Sequence, residues 1–136
     1  MAERLLLDTF FVRALLNVDD EHHAKAEPLL PRLQLATEVV VTEAVILEIG
    51  NSLSDKDRVG AVEFIRGCYR TPNVTVVTVD TPLLNRALDL YDARRDKTWG
   101  LTDCISFVVM QDQGLLLALT GDKHFKQAGF VALMLQ

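Results

Sequence analysis

Cysteine is scarce in this chain, with two residues, Cys68 and Cys104, among 136. Neither belongs to a CxxC pair or lies near a histidine pair, so a thiolate metal site is not expected. Two reduced, buried thiols are. Long apolar runs are missing too: no stretch approaches the roughly eighteen residues a membrane span needs. The start, MAERLLLDTFF, has its apolar run cut by Asp8 and lacks the h-region of a signal peptide, so the chain reads as cytoplasmic. Internal repeats, low-complexity tracts and composition shifts are absent, and the length fits one domain over residues 1–136. Positive charge is in the minority, with 14 Lys and Arg against 19 Asp and Glu and a net charge of −5. That balance argues against a protein that coats nucleic acid through a broad positive field. It leaves room for a compact acidic site: discounting four metal-bound carboxylates would bring the remainder to −1.

What is present is alternation. Short β-rich apolar runs at 5–7, 38–41, 74–77, 115–119 and 131–134 are separated by helical patterns at 9–17, 20–35, 43–54, 56–69, 80–93, 102–113 and 122–128. Pro28 and Pro31 should kink or end the second helix. Continuous apolar strands separated by helices imply an α/β fold, with a central parallel sheet of about five strands covered by helices on both faces. Ligands of such sheets bind beyond the carboxyl ends of the strands, near a switch in strand order. The residues that follow each strand are therefore the ones to read.

Those positions are rich in acids. Asp8 follows the first strand, Glu43 and Glu48 the second, and Asp80 the third. Asp122 follows the fourth, and Asp103 opens the helix before it. Helix capping and dipole effects account for acids at helix starts, and they are the better reading for Asp80, which precedes Thr81-Pro82, and for Glu43. Glu48 lies inside a helix, on a face shared with Ala44, Asn51 and Ser52, where no cap explains it. Gathered carboxylates repel and take up protons unless a cation joins them. Mg²⁺ and Mn²⁺ are the oxygen-seeking ions suited to such a group and to phosphodiester chemistry. Thr9, Thr102 and Thr120 stand beside the aspartates with hydroxyls that could orient ligands. Composition and spacing do not choose among the six acids.

Four blocks do more: LLLDTFFVRALLN at 5–17, VTEAVILEIGNSL at 41–53, WGLTDCISFVVMQDQG at 99–114 and ALTGDKHFKQAGF at 118–130. Their order and content resemble the PIN-domain family, which includes the VapC-type ribonuclease toxins, and the resemblance covers essentially the whole chain. It implies a single PIN-like domain and a Mg²⁺- or Mn²⁺-dependent endoribonuclease that hydrolyses RNA phosphodiesters with a metal-activated water. Position by position, the family's acids fall on Asp8, Glu48, Asp103 and Asp122, with Asp8, Asp103 and Asp122 as metal ligands. Thr9, Asn51 and Thr120 would support them. The resemblance further implies a toxin of a toxin–antitoxin pair, a small antitoxin partner and a homodimer. One departure stands out: where some relatives carry a further acid or amide near the last aspartate, this chain has Thr120, Gly121 and His124.

Several rivals remain. A metal-free mechanism would use histidines, but adjacent His22 and His23 point about 100° apart on a helix; it would leave cyclic phosphate ends and survive EDTA. A catalytically inactive PIN-fold module that binds RNA or protein, or a non-toxin RNA-processing nuclease, would keep the fold. A phospho-acceptor domain would need an acidic pair by the first strand, which Leu7-Asp8-Thr9 lacks. RNA requires cations near the acids, and Arg94, Arg95, Lys97, Lys123 and Lys126 are the candidates. Trp99 is read first as a core-edge residue, with stacking on a base as the alternative.

Overall fold

The computed structural model describes residues 2–136. Five strands form one sheet: β1 (Arg4–Leu7), β2 (Glu38–Thr42), β3 (Val74–Val77), β4 (Leu117–Leu119) and β5 (Val131–Ala132). Their order is β3-β2-β1-β4-β5, and every pairing is parallel. Among the described residues eight α-helices accompany them: α1 (Thr9–Leu16), α2 (His23–Ala26), α3 (Leu30–Leu35), α4 (Glu43–Ser52), α5 (Arg58–Arg70), α6 (Thr81–Ala93), α7 (Leu101–Gln113) and α8 (Lys123–Gln127). The chain moves outward from β1 in one direction through β2 and β3. It then returns to add β4 and β5 on the other side, so strand order switches at the β1–β4 seam.

Alternation along the strands builds two cores. Leu5 and Leu7, with Val39 and Val41, face α1, α4 and α5; Leu6 and Val40 face α6, α7 and α8. Because both faces are covered, the strands tolerate consecutive apolar residues, as a half-exposed strand would not. Helix α7 is buried without a break from Cys104 to Met110. Its Phe107 packs edge-on against Trp99 and Phe125 with ring centres 5.0 and 4.9 Å apart. Gly114 ends it at φ 67°, a left-handed conformation that favours glycine. Leu115 N–H then returns to the Met110 carbonyl at 2.9 Å, which delays β4 to Leu117 rather than the expected 115.

The region 20–35 departs most from the sequence reading. It is no single helix: a turn leads into the four-residue α2, then a 3-10 turn over Glu27–Leu29, then α3. Pro28 and Pro31 each sit in the first turn of an element, where a missing N–H costs no hydrogen bond. The prolines therefore segment the helix rather than merely kinking it. The last strand is also shorter than the 131–134 expectation. Met134 N–H turns back to the Thr120 carbonyl at 3.0 Å, and residues 133–135 form a 3-10 turn.

Candidate metal and active site

The register Leu7↔Leu119 at the switch point puts Asp8 and Thr120 side by side at the carboxyl ends of β1 and β4. Asp8 holds the N-cap position of α1 but makes no side-chain cap bond, so the bland reading of this acid fails. Its carboxylate is nearly sealed, with 5% of the residue exposed. The Thr120 hydroxyl donates to its Oδ2 at 2.7 Å, and the same Thr120 oxygen accepts the Asp122 N–H at 3.0 Å. Burial pushes the Asp8 carboxyl from its ordinary 3.8 up to about 7. The negative charges of Asp103 and Asp122 add to the rise, and the Thr120 hydroxyl and Thr9 amide act against it.

The other three acids arrive from three further helices. Asp103, in the first turn of α7, accepts Gly100 N–H on Oδ2 at 3.0 Å. Its burial raises its pKa, Gly100 and His124 pull it down, and the Asp122 charge pushes it up again. Asp122 caps α8 by accepting His124 N–H at 2.9 Å. Glu48 points from the middle of α4 and is held by the Thr9 hydroxyl, which donates to Oε1 at 2.7 Å. Asp8, Glu48, Asp103 and Asp122 all line one pocket of about 550 Å³, together with Thr9, Asn51, Ser52 and Thr102.

The remaining acids fall elsewhere. Asp80 accepts Leu83 N–H at 2.9 Å as the cap of α6. Glu43 is bonded by Tyr69 Oη at 3.1 Å and by Val79 N–H at 3.3 Å, away from this pocket. Thr102 and Asn51 are on the pocket wall, and among the described residues neither side chain bonds to the acids.

Two groups in the pocket stand outside the acid set that the resemblance implies. His124 turns its Nδ1 toward Asp103 Oδ2 at 2.9 Å and Asp122 Oδ1 at 3.4 Å. One ligand atom from each of Asp103, Asp122 and His124 lies within 4.8 Å of the others. Asp8 and Glu48 line the same pocket without entering that tight trio. Arg13 is the one Lys or Arg among the lining residues. The sequence signal for His124 was its place two residues after Asp122; for Arg13 it was the helical turn that separates it from Thr9. Among the described residues no Lys or Arg nitrogen approaches any of the four acids within 4.0 Å. Hard oxygen donors, clustered and without a Lys or Arg partner among the described residues, are a set that fits a divalent cation.

The candidate RNA cations are placed beside this pocket rather than in it. Arg94, Arg95 and Lys97 line a neighbouring cavity of about 520 Å³ with Tyr91, Thr98 and Trp99. Arg94 and Lys97 share Asp96, at 3.0 and 3.8 Å, and Arg95 pairs with Asp92. Lys123 and Lys126 are exposed on α8. Trp99 does not offer its face to a base: it is buried against Phe107, Arg94 lies 4.9 Å over its ring, and its N–H donates to Gln127 at 3.0 Å. The core-edge reading of Trp99 holds, and the stacking alternative falls away.

A family model for the PIN domain matches residues 5–131. Among solved structures, the crystal structure of VapC20 from Mycobacterium tuberculosis, a sarcin–ricin loop cleaving toxin, superposes with a TM-score of 0.82 at 25% sequence identity. The superposition covers 93% of this chain and 96% of that one. No curated protein matches the chain in sequence.

Proposed function

Because the chain belongs to the PIN-domain family, we propose that residues 1–136 act as one metal-dependent endoribonuclease of the VapC toxin type, working in the cytoplasm on structured or single-stranded RNA. One observation carries the reading. Four carboxylates from four separate elements line one pocket at the strand-order switch, and among the described residues no Lys or Arg pairs with them. The sarcin–ricin loop that VapC20 cleaves is the first RNA to test. A small antitoxin and a second copy of the chain are the proposed protein partners.

In this reading Asp8, Asp103 and Asp122 hold Mg²⁺ or Mn²⁺. When bound, such an ion supplies Lewis-acid polarisation of the phosphodiester and acidifies a water. Thr120 fixes the Asp8 carboxylate by donating to Oδ2 and fixes the β4–α8 turn by accepting Asp122 N–H. Thr9 occupies Glu48 Oε1, which leaves Oε2 to accept a proton from the attacking water. Arg13 and Asn51 form the polar rim against which the RNA backbone rests. Arg94, Arg95, Lys97 and Lys123 meet phosphates farther along the strand, which positions RNA without selecting its sequence.

The decisive assay is cleavage of labelled RNA with Mg²⁺ or Mn²⁺. Metal-dependent hydrolysis leaves 5′-phosphate ends and stops in EDTA. Glu48→Gln keeps size and helix propensity and should lower the rate by at least about a hundredfold, close to 2.7 kcal/mol of barrier. Glu43→Gln should stay within a few-fold. Equal losses in the two variants, or cyclic phosphate ends, would return the fold to a binding role or to histidine chemistry.

A further inference from the structure

We infer that His124 Nδ1 is a nitrogen ligand of the divalent-ion centre, joining Asp103 and Asp122 in a set that favours Mn²⁺ over Mg²⁺. The inference rests on the metal reading above and goes beyond it in naming the ligand and the ion it selects.

The geometry starts with the far side of the ring. His124 Nε2 lies 3.3 Å from the Thr98 hydroxyl. With the ring proton on Nε2, Thr98 accepts it, and the Nδ1 lone pair faces the pocket. It then meets the lone pairs of Asp103 Oδ2 and Asp122 Oδ1 at 2.9 and 3.4 Å. Three acceptors so placed repel one another unless a cation sits among them. Adjacent ligands on an octahedron with bonds of about 2.1 Å stand roughly 3.0 Å apart. The two His124 distances are of that size.

The donor type sets the selectivity. Mg²⁺ demands near-ideal oxygen coordination and gives up water reluctantly, so a nitrogen donor does little for it. Imidazole binds first-row transition ions, and Mn²⁺, though the weakest binder of that series, is the one that shares the taste of Mg²⁺ for the neighbouring carboxylates. His124 is held in place for this role: the ring is only 18% exposed, and its backbone N–H is fixed by Asp122.

The competing arrangement puts the proton on Nδ1, which then donates to Asp103, while the Thr98 hydroxyl donates to Nε2. In that case His124 occupies the cation's place and competes with it. The two arrangements predict opposite effects of removing the ring, and this makes them separable.

The experiment uses the full chain, stripped of metal and titrated with Mn²⁺ by electron paramagnetic resonance, with Mg²⁺ affinity measured by competition. Spin-echo spectra of the Mn²⁺-loaded protein should show coupling to a directly bound imidazole nitrogen, and His124→Ala and His124→Asp should both lose it. His124→Ala should lose at least the roughly tenfold in Mn²⁺ affinity that removal of even an outer partner costs. His124→Asp, with oxygen donors only, should bring the Mn²⁺-to-Mg²⁺ preference down. Mn²⁺ bound without nitrogen coupling, coupling that persists in both variants through His22 or His23, or unchanged or tighter Mn²⁺ binding by His124→Ala would overturn the ligand assignment and leave the metal reading standing. No Mn²⁺ or Mg²⁺ bound to the unaltered protein would sink the metal reading, and this inference with it.

Discussion

Removing the charge of Asp8 should stabilise the metal-free protein, and only where that charge exists. Burial lifts this carboxyl from 3.8 to about 7. The folded state therefore binds the proton more tightly than the unfolded chain. Stability present below pH 4 is lost progressively as pH rises through 7. At about 1.36 kcal/mol per pKa unit the full penalty is about 4 kcal/mol, and between pH 5 and pH 8 about 2–3 kcal/mol of it develops. Asp8→Asn escapes the penalty but puts an amide N–H₂ where one carboxylate oxygen accepted from Thr120 or from the Thr9 amide, at a cost of about 1–3 kcal/mol. The variant should consequently match the parent near pH 5 and exceed it by about 2 kcal/mol at pH 8. In melting temperature the gap between the two proteins should widen by roughly 6–12 °C over that range, at about 3–4 °C per kcal/mol for a chain this size. The assay is thermal denaturation followed by circular dichroism, on protein stripped of metal and kept in EDTA. A difference between variant and parent that stays flat from pH 5 to pH 8 would refute the buried-charge account of Asp8.

Divalent ions should reverse that cost: at a hundred times its Kd, Mg²⁺ or Mn²⁺ should add about 2.7 kcal/mol to the parent, read as a higher melting temperature. Asp8→Asn should show a smaller rise, and an equal rise would take Asp8 out of the site. Gly121→Ala should destabilise by about 1–3 kcal/mol in a denaturant titration, because overpacking forces neighbours off their minima. A Cβ at residue 121 would stand 2.4 Å from Phe10 Cε1, a ring carbon on a pocket-lining residue; an unchanged midpoint would show that Phe10 yields freely. Changing Arg94, Arg95 and Lys97 together to alanine should weaken RNA binding across sequences and lower the salt slope by about 0.7 per lost single-strand phosphate contact. Arg13→Ala, inside the acid pocket, should instead lower cleavage more than binding of long RNA.

Much of the sheet was legible because burial on both faces writes itself as apolar runs, and the strand ends then pointed to Asp8 and Asp122. Glu48 could be singled out because a mid-helix acid has no capping role to hide behind. The 20–35 segment was not legible as separate pieces, since helical periodicity persists through a 3-10 turn and only the prolines mark the breaks. The orientation of His124 was hidden for a different reason. Its contact with Asp103 spans 21 residues and depends on one rotamer at the start of a five-residue helix. Trp99 shows the opposite case: although Arg and Lys flank it in sequence, its bulk favours a core edge, and the fold turns its ring inward onto Phe107. Periodicity reports which face a residue occupies; the direction of a side chain at an element's end follows from packing between distant segments.

The seam between β1 and β4 also sets when the pocket can exist. Asp8 is synthesised well before the hydroxyl that braces it, which belongs to Thr120, 112 residues later. Until β4 docks, β1 has β2 on one side and an unpaired edge on the other, and the crevice that gathers the acids has only one wall. Asp122, two residues beyond Thr120, arrives with the same closing step. A chain still being made therefore carries Asp8, Glu48 and Asp103 without the arrangement that would let them work together. The acids thus become a working group only in the step that adds β4 to the sheet.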